Sequence, residues 1–110
     1  MLQEPLDTAG MRAKADAAAE FLGLLSSRPR LLILCHLLEV GELAVSNLVD
    51  RVGLSQSALS QHLGKLRARG LVDSRREGQN IYYRIADPRA ARLIGMLHAL
   101  FCEPQIGREG

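Results

Sequence analysis

At 110 residues, 47% apolar and 24% charged, the chain has the size and balance of one globular domain. Its longest apolar run, Leu31 to Leu38, is too short to span a bilayer, and its start lacks the basic-then-apolar pattern of a secretory signal; a cytoplasmic location is therefore expected, where two cysteines argue against a structural disulfide. The net charge of +2 conceals a basic block: residues 51–92 hold nine Lys/Arg against three acids while residues 1–50 hold four against seven, an imbalance that points to a polyanion partner.

Residues 1–10, broken by Pro5 and Gly10, read as a flexible N-terminus. Residues 11–26 are Ala-rich and end in Phe21, Leu22, Leu24 and Leu25, a helix by propensity. In SSRPR, Ser27 is an N-cap and Pro29 lies in the first turn of a second helix, which runs to Val40 and stops at Gly41. On a helical wheel Leu31, Leu34, Cys35 and Leu38 share one face while Ile33 and Leu37 lie nearly opposite, so this helix belongs at the centre of the fold. A short helix at 45–52, a turn at Gly53 and a longer helix at 56–69 follow, the last capped by Ser55 and closed by Gly70. The period then changes from 3.6 to 2: strands near 71–76 and 80–85 flank a turn at 77–80. Asp87-Pro88 opens a last helix to about Cys102, and 104–110 reads as a flexible tail. The order predicts a mainly α fold with a β-hairpin, a winged helix-turn-helix domain over residues 11–103.

The longer helix has the composition of a DNA-reading element. Leu59, Leu63 and Leu66 form its inner face and, with Val49, Val52 and Leu54, join it to the short helix. Opposite lie Ser57, Gln61, Gly64 and Ala68, flanked by Ser60 and His62, with Gln56 at the N-terminal end. Small polar residues of this kind approach base edges in a major groove without clash. Lys65, Arg67 and Arg69 suit phosphates, and the hairpin adds Arg75, Arg76, Gln79 and Asn80. A winged helix that binds protein without DNA is the competing class; the basic block and groove-sized face oppose it. No CxxC, nucleotide loop or base-oriented nucleophile is present, so an enzyme is not expected.

The stretch LSQSALSQHLGKLRARGLVDSRREGQNIYYRI resembles the recognition helix and wing of ArsR/SmtB-type bacterial repressors, and the likeness covers roughly residues 15–102. The resemblance implies a homodimer built mainly by the first and last helices. It implies an inverted-repeat operator and release when an inducer is sensed. By analogy Gln56, Ser57, Ser60, Gln61 and His62 face the groove. One metal site of that family is a Cys-containing motif of the form ELCVCDL. The matching stretch here is ELAVSNL, with Ala44 and Ser46 at the cysteine positions, so that thiolate site is absent. A second site begins D-x-H; here Asp87 is followed by Arg89, a cation in place of a ligand.

Cys35 and Cys102 remain. In the last helix Leu93, Leu97, Leu100 and Phe101 form the apolar stripe, and Cys102 falls on another face with Ala91, Gly95 and His98. That small-residue face invites the second helix, so the two thiols are expected to meet within one subunit. The pair resembles the persulfide-responsive subgroup of these repressors, whose dithiol cysteines lie on the second and last helices. The resemblance implies that reactive sulfur species act as inducer, with no resident cofactor. Sulfane sulfur adds to one thiolate and the second cysteine resolves it as a polysulfide bridge, which spans a wider gap than a disulfide. Two other readings stay open. Both cysteines can be inert, buried packing residues. Alternatively Cys35, His98 and Cys102 can hold Zn(II), Cd(II) or As(III), since His98 and Cys102 are four apart on a helix.

Overall fold

The computed structural model describes residues 8–102, with side chains from 10 to 101. The remainder of the expected flexible N-terminus and the 104–110 tail lie outside the described residues. Helix α1 (Thr8–Leu25) begins three residues before the expected start and takes Gly10 into its first turns. A helical glycine costs about 1 kcal/mol against alanine, and the Ala-rich run that follows outweighs it. Helix α2 (Arg28–Val40) forms as its caps predict: Arg30 N–H donates to Ser27 Oγ at 3.2 Å and Gly41 N–H donates to the Leu37 carbonyl at 2.7 Å.

The core face of α2 differs from the wheel. Ile33, Leu34 and Leu37 are fully buried, Leu31 and Cys35 are half-buried, and Leu38 is exposed. The reason is that α2 is packed on two sides. One side meets α3 and the sheet and the other meets α5, so the expected stripe is divided between them.

The helix-turn-helix is α3 (Val45–Val52) and α4 (Gln56–Ala68). Gly53 turns the chain between them at φ +79°, a left-handed conformation that costs glycine nothing. Ser55 Oγ accepts from Ala58 N–H at 3.1 Å and starts α4. Leu59, Leu63 and Leu66 are fully buried, with Val49, Val52 and Leu54 packed against the same core. Each such leucine contributes about 1.5–3 kcal/mol by leaving water. These contacts hold α4 with its polar side outward.

The wing is larger than a hairpin. Strands β2 (Val72–Glu77) and β3 (Asn80–Ile85) pair antiparallel, and a two-residue strand, β1 (Leu43–Ala44), pairs with the other edge of β3. Leu43 sits opposite Tyr83 and Ala44 opposite Tyr82. β1 is absent from the sequence reading because two residues show no alternation. Gly78 takes φ +65° at the first central position of the tip, and Gln79 keeps a negative φ, the pattern of a type II′ turn.

Helix α5 (Pro88–Leu97) is capped by Asp87, whose carboxylate accepts from Arg89 N–H at 2.8 Å. The helix does not continue to Cys102 as an α-helix: residues His98–Cys102 form one π-turn. The wider turn shifts the register, and the expected stripe breaks up. Ala90 and Ile94 are the buried residues, Leu93 and Leu97 flank them, and Leu100 and Phe101 are 64% and 79% exposed. α5 lies on α2, where Leu38 Cδ2 is 3.7 Å from the place a Cβ would take on Gly95. At its other end the Arg89 guanidinium stacks on the Phe21 ring of α1, 4.7 Å from the centroid.

Candidate nucleic-acid interface and thiol cavity

The outer side of α4 is polar and open: Gln56, Ser57, Ser60, Gln61, Lys65 and Arg67 are all exposed. Gln56 and Ser60 share a cleft of about 280 Å³ with Gln79 and Asn80 of the wing tip, floored by Leu63, Ile81 and Tyr83. The structure thus brings together the N-terminal half of α4 and the tip of the wing, which lie about twenty residues apart in the chain.

The two wing arginines part company. Strand alternation puts Arg76 on the face of Ile81 and Tyr83, toward the cleft, and Arg75 on the opposite face with Tyr82. Arg75 is engaged there on three sides. Its Nε and Nη2 donate to the two Glu42 oxygens at 2.8 Å each, its Nη1 donates to Glu77 at 2.8 Å, and its plane lies over Tyr82. The hydrogen bond from Arg75 holds the Glu42 carboxyl below its ordinary pKa, and the same pairing raises that of Arg75.

His62 departs from the other residues expected to face the groove. It is half-buried, and its Nδ1 accepts from Arg30 Nε at 3.2 Å. Partial desolvation, with the nearby charges of Arg30 and Lys65, lowers its pKa. Arg30 and Glu42 were not among the sequence-predicted residues. Each acts across more than thirty residues of chain, a separation over which no local pattern operates.

Cys35 opens onto a second cavity of about 580 Å³ between α2 and α5. Leu31 and Leu32 of α2 form one wall; Ile94, Leu97, His98 and Phe101 form the other, and Ser26, Ser27 and Arg28 line the rim. Cys102 ends the π-turn that carries His98 and Phe101, and its side chain lies outside those described. His36 points elsewhere: its Nδ1 is buried without a partner among the described residues. At the two metal positions of the resembled family, Ala44 is buried in β1 and Ser46 is exposed. Asp87 is occupied by Arg89, whose Nε and Nη2 donate to it at 3.2 and 2.9 Å and depress its pKa. Among the described residues no three His, Cys, Asp or Glu side chains cluster as a metal site.

A family model described as bacterial regulatory protein, arsR family, matches residues 27–74, from the start of α2 into the wing. A biofilm growth-associated repressor of Agrobacterium fabrum is 41% identical over 109 residues, covering 94% of this chain and 92% of that protein. The chain belongs to the arsR family. Within it, the solved structure of reduced HlyU from Vibrio cholerae N16961 superposes with a TM-score of 0.81 at 41% identity, covering 86% of this chain and 98% of that one. The transcriptional repressor BigR from Xylella fastidiosa superposes at 0.79 and 37% identity, covering 90% and 100%. This arsR-family chain is a winged-helix, DNA-binding transcriptional regulator and not an enzyme. Among its described residues no single helix is long and apolar enough to cross a membrane.

Proposed function

We propose that this chain is a homodimeric repressor that holds an inverted-repeat operator in the cytoplasm and lets go when reactive sulfur species bridge Cys35 and Cys102. The observation that carries the reading is the thiol cavity: Cys35 lies in one wall, and the other wall runs from α5 into the turn that ends in Cys102. Its size admits a small organic persulfide. The names of the relatives support it too, since they include a biofilm growth-associated repressor and a regulator solved as its reduced form. The dimer is supported by apolar side chains left exposed on the first and last helical segments: Met11, Leu22, Met96, Leu100 and Phe101.

The chemistry balances with the persulfide as the only oxidant. A cysteine thiolate attacks the outer sulfur of RSSH, forming Cys–SSH and releasing RSH. Each sulfur inserted consumes one RSSH in this way. Closing the bridge consumes one more, which takes up two electrons and two protons and leaves as RSH and hydrogen sulfide. The bridge then ties α2 to the turn that follows α5 and changes the spacing of the two recognition helices.

The test is fluorescence anisotropy on a labelled duplex from the chain's own promoter region. Glutathione persulfide should release the wild-type protein, while Cys35→Ser and Cys102→Ser should bind the duplex and stay bound. Normal release of both variants overturns the dithiol. Release of wild type by Zn(II), Cd(II) or As(III) but not by persulfide favours the metal reading through Cys35, His98 and Cys102. No shift of the duplex at low salt overturns the operator reading and favours a protein partner.

A further inference from the structure

The bond that ties α4 to α2 also determines what His62 can offer to DNA. Arg30 Nε donates to His62 Nδ1 at 3.2 Å, and Arg30 Nη1 donates to the Leu24 carbonyl, in the last turn of α1, at 3.0 Å. A guanidinium has donors and no acceptor. His62 Nδ1 is therefore the acceptor, the ring is neutral, and its proton sits on Nε2. His62 is only half-buried, and among the described residues its Nε2 is not one of the buried side-chain atoms left without a partner, so the ring reaches the surface. It does so on α4 between Gln61 and Lys65, both exposed.

We propose that Arg30 is a positioning residue for DNA recognition: it locks His62 as the Nε2–H tautomer, so that α4 presents a fixed hydrogen-bond donor to an acceptor on the DNA. The acceptor is a phosphate oxygen or a purine N7 or O6 edge, which share this chemistry. The same guanidinium holds the end of α1. Movement of α1 against α2 therefore changes the alignment on His62 and reaches the recognition helix. A second tie acts at the C-terminal end of α4, where Arg69 pairs with Glu20 of α1. The inference rests on DNA binding by α4, and not on the thiol chemistry.

The first measurement needs neither DNA nor a variant. Imidazole nitrogen NMR of the full-length wild-type protein should show His62 with Nε2 protonated and Nδ1 bare. The charged groups acting on it are Arg30 from α2 and Lys65 from its own helix. Arg30→Ala should mix the tautomers, raise the pKa of His62, and weaken binding to the own-promoter duplex about tenfold, the loss of one positioned donor. His62→Gln keeps an amide donor near the Nε2 position without needing Arg30. In that background Arg30→Ala should cost no further affinity. Loss shared equally by a scrambled duplex identifies a phosphate acceptor, and loss confined to the promoter duplex identifies a base edge. An Nδ1–H tautomer in the wild type overturns the inference even if DNA binding is normal. So does an Arg30→Ala loss of the same size with Gln at position 62, because Arg30 would then act on the fold alone.

Discussion

Gly64→Ala should make the protein more stable and a poorer DNA binder. Gly64 lies in the third turn of α4, exposed, and a Cβ added there meets nothing within 4 Å. The isolated fold therefore accepts the methyl without a clash. Alanine is favoured over glycine in a helix interior by about 0.8–1 kcal/mol. For a domain of this size that raises Tm by roughly 3–5 °C. On DNA the sign reverses. Gly64 follows Ser57 and Gln61 along the outer face of α4, and a methyl in a closely packed contact costs about 1–3 kcal/mol. Taking the lower half of that range, affinity falls roughly tenfold. Thermal denaturation by circular dichroism, at one protein concentration, reads the first quantity; anisotropy with the own-promoter duplex reads the second. A variant that gains the stability yet binds as tightly as wild type would refute the placement of this face against DNA. A lower Tm would refute the open space around Gly64.

Glu42→Gln should release Arg75 from its strongest partner, raising DNA affinity and steepening its salt dependence; an unchanged slope would mean that Arg75 does not reach phosphate. Arg76→Ala should lower that slope by about one contact. Stability should decline with acid through His62. Its folded pKa is lowered, so the unfolded chain binds the proton first as pH falls below 6.5, and the loss is complete once pH passes the folded value. Urea midpoints between pH 7.5 and the acid limb of the titration should show this loss, and His62→Gln should remove its share. Leu63→Ala, at a fully buried position on α4, should cost about 2–5 kcal/mol by urea denaturation.

The elements that the sequence made legible are those set by local chemistry. Ser27, Ser55 and Asp87 cap helices because a side-chain oxygen meets an amide two or three residues on. Leu59, Leu63 and Leu66 read as an inner face because the helical period alone aligns them. What remained hidden depends on partners far along the chain. β1 exists because β3 offers it an edge. The division of the α2 stripe follows from α5 packing on one side and the sheet on the other. The π-turn at His98–Cys102 breaks the periodicity by which Leu100 and Phe101 read as one apolar stripe with Leu93 and Leu97. At the expected DNA face, exposure of Gln56, Ser57, Ser60 and Gln61 was readable, whereas the ties of His62 to Arg30 and Arg75 to Glu42 were not. Both tying residues look like ordinary surface charges in sequence. At the cavity, the two thiols were visible as the only cysteines of the chain, but the walls that Leu32, Ile94 and Phe101 build beside Cys35 required the packing of α2 on α5.

The central claim is that Cys35 and Cys102 close on each other through added sulfur, and intact mass spectrometry tests it most directly. After treatment with glutathione persulfide and removal of excess reagent, the wild-type protein should gain whole sulfur atoms and lose two hydrogens, and a reductant should restore the starting mass. Cys35→Ser and Cys102→Ser should never show the two-hydrogen loss within one chain. A wild-type protein that keeps its original mass, or that carries glutathione on one cysteine without closing the bridge, would contradict the account.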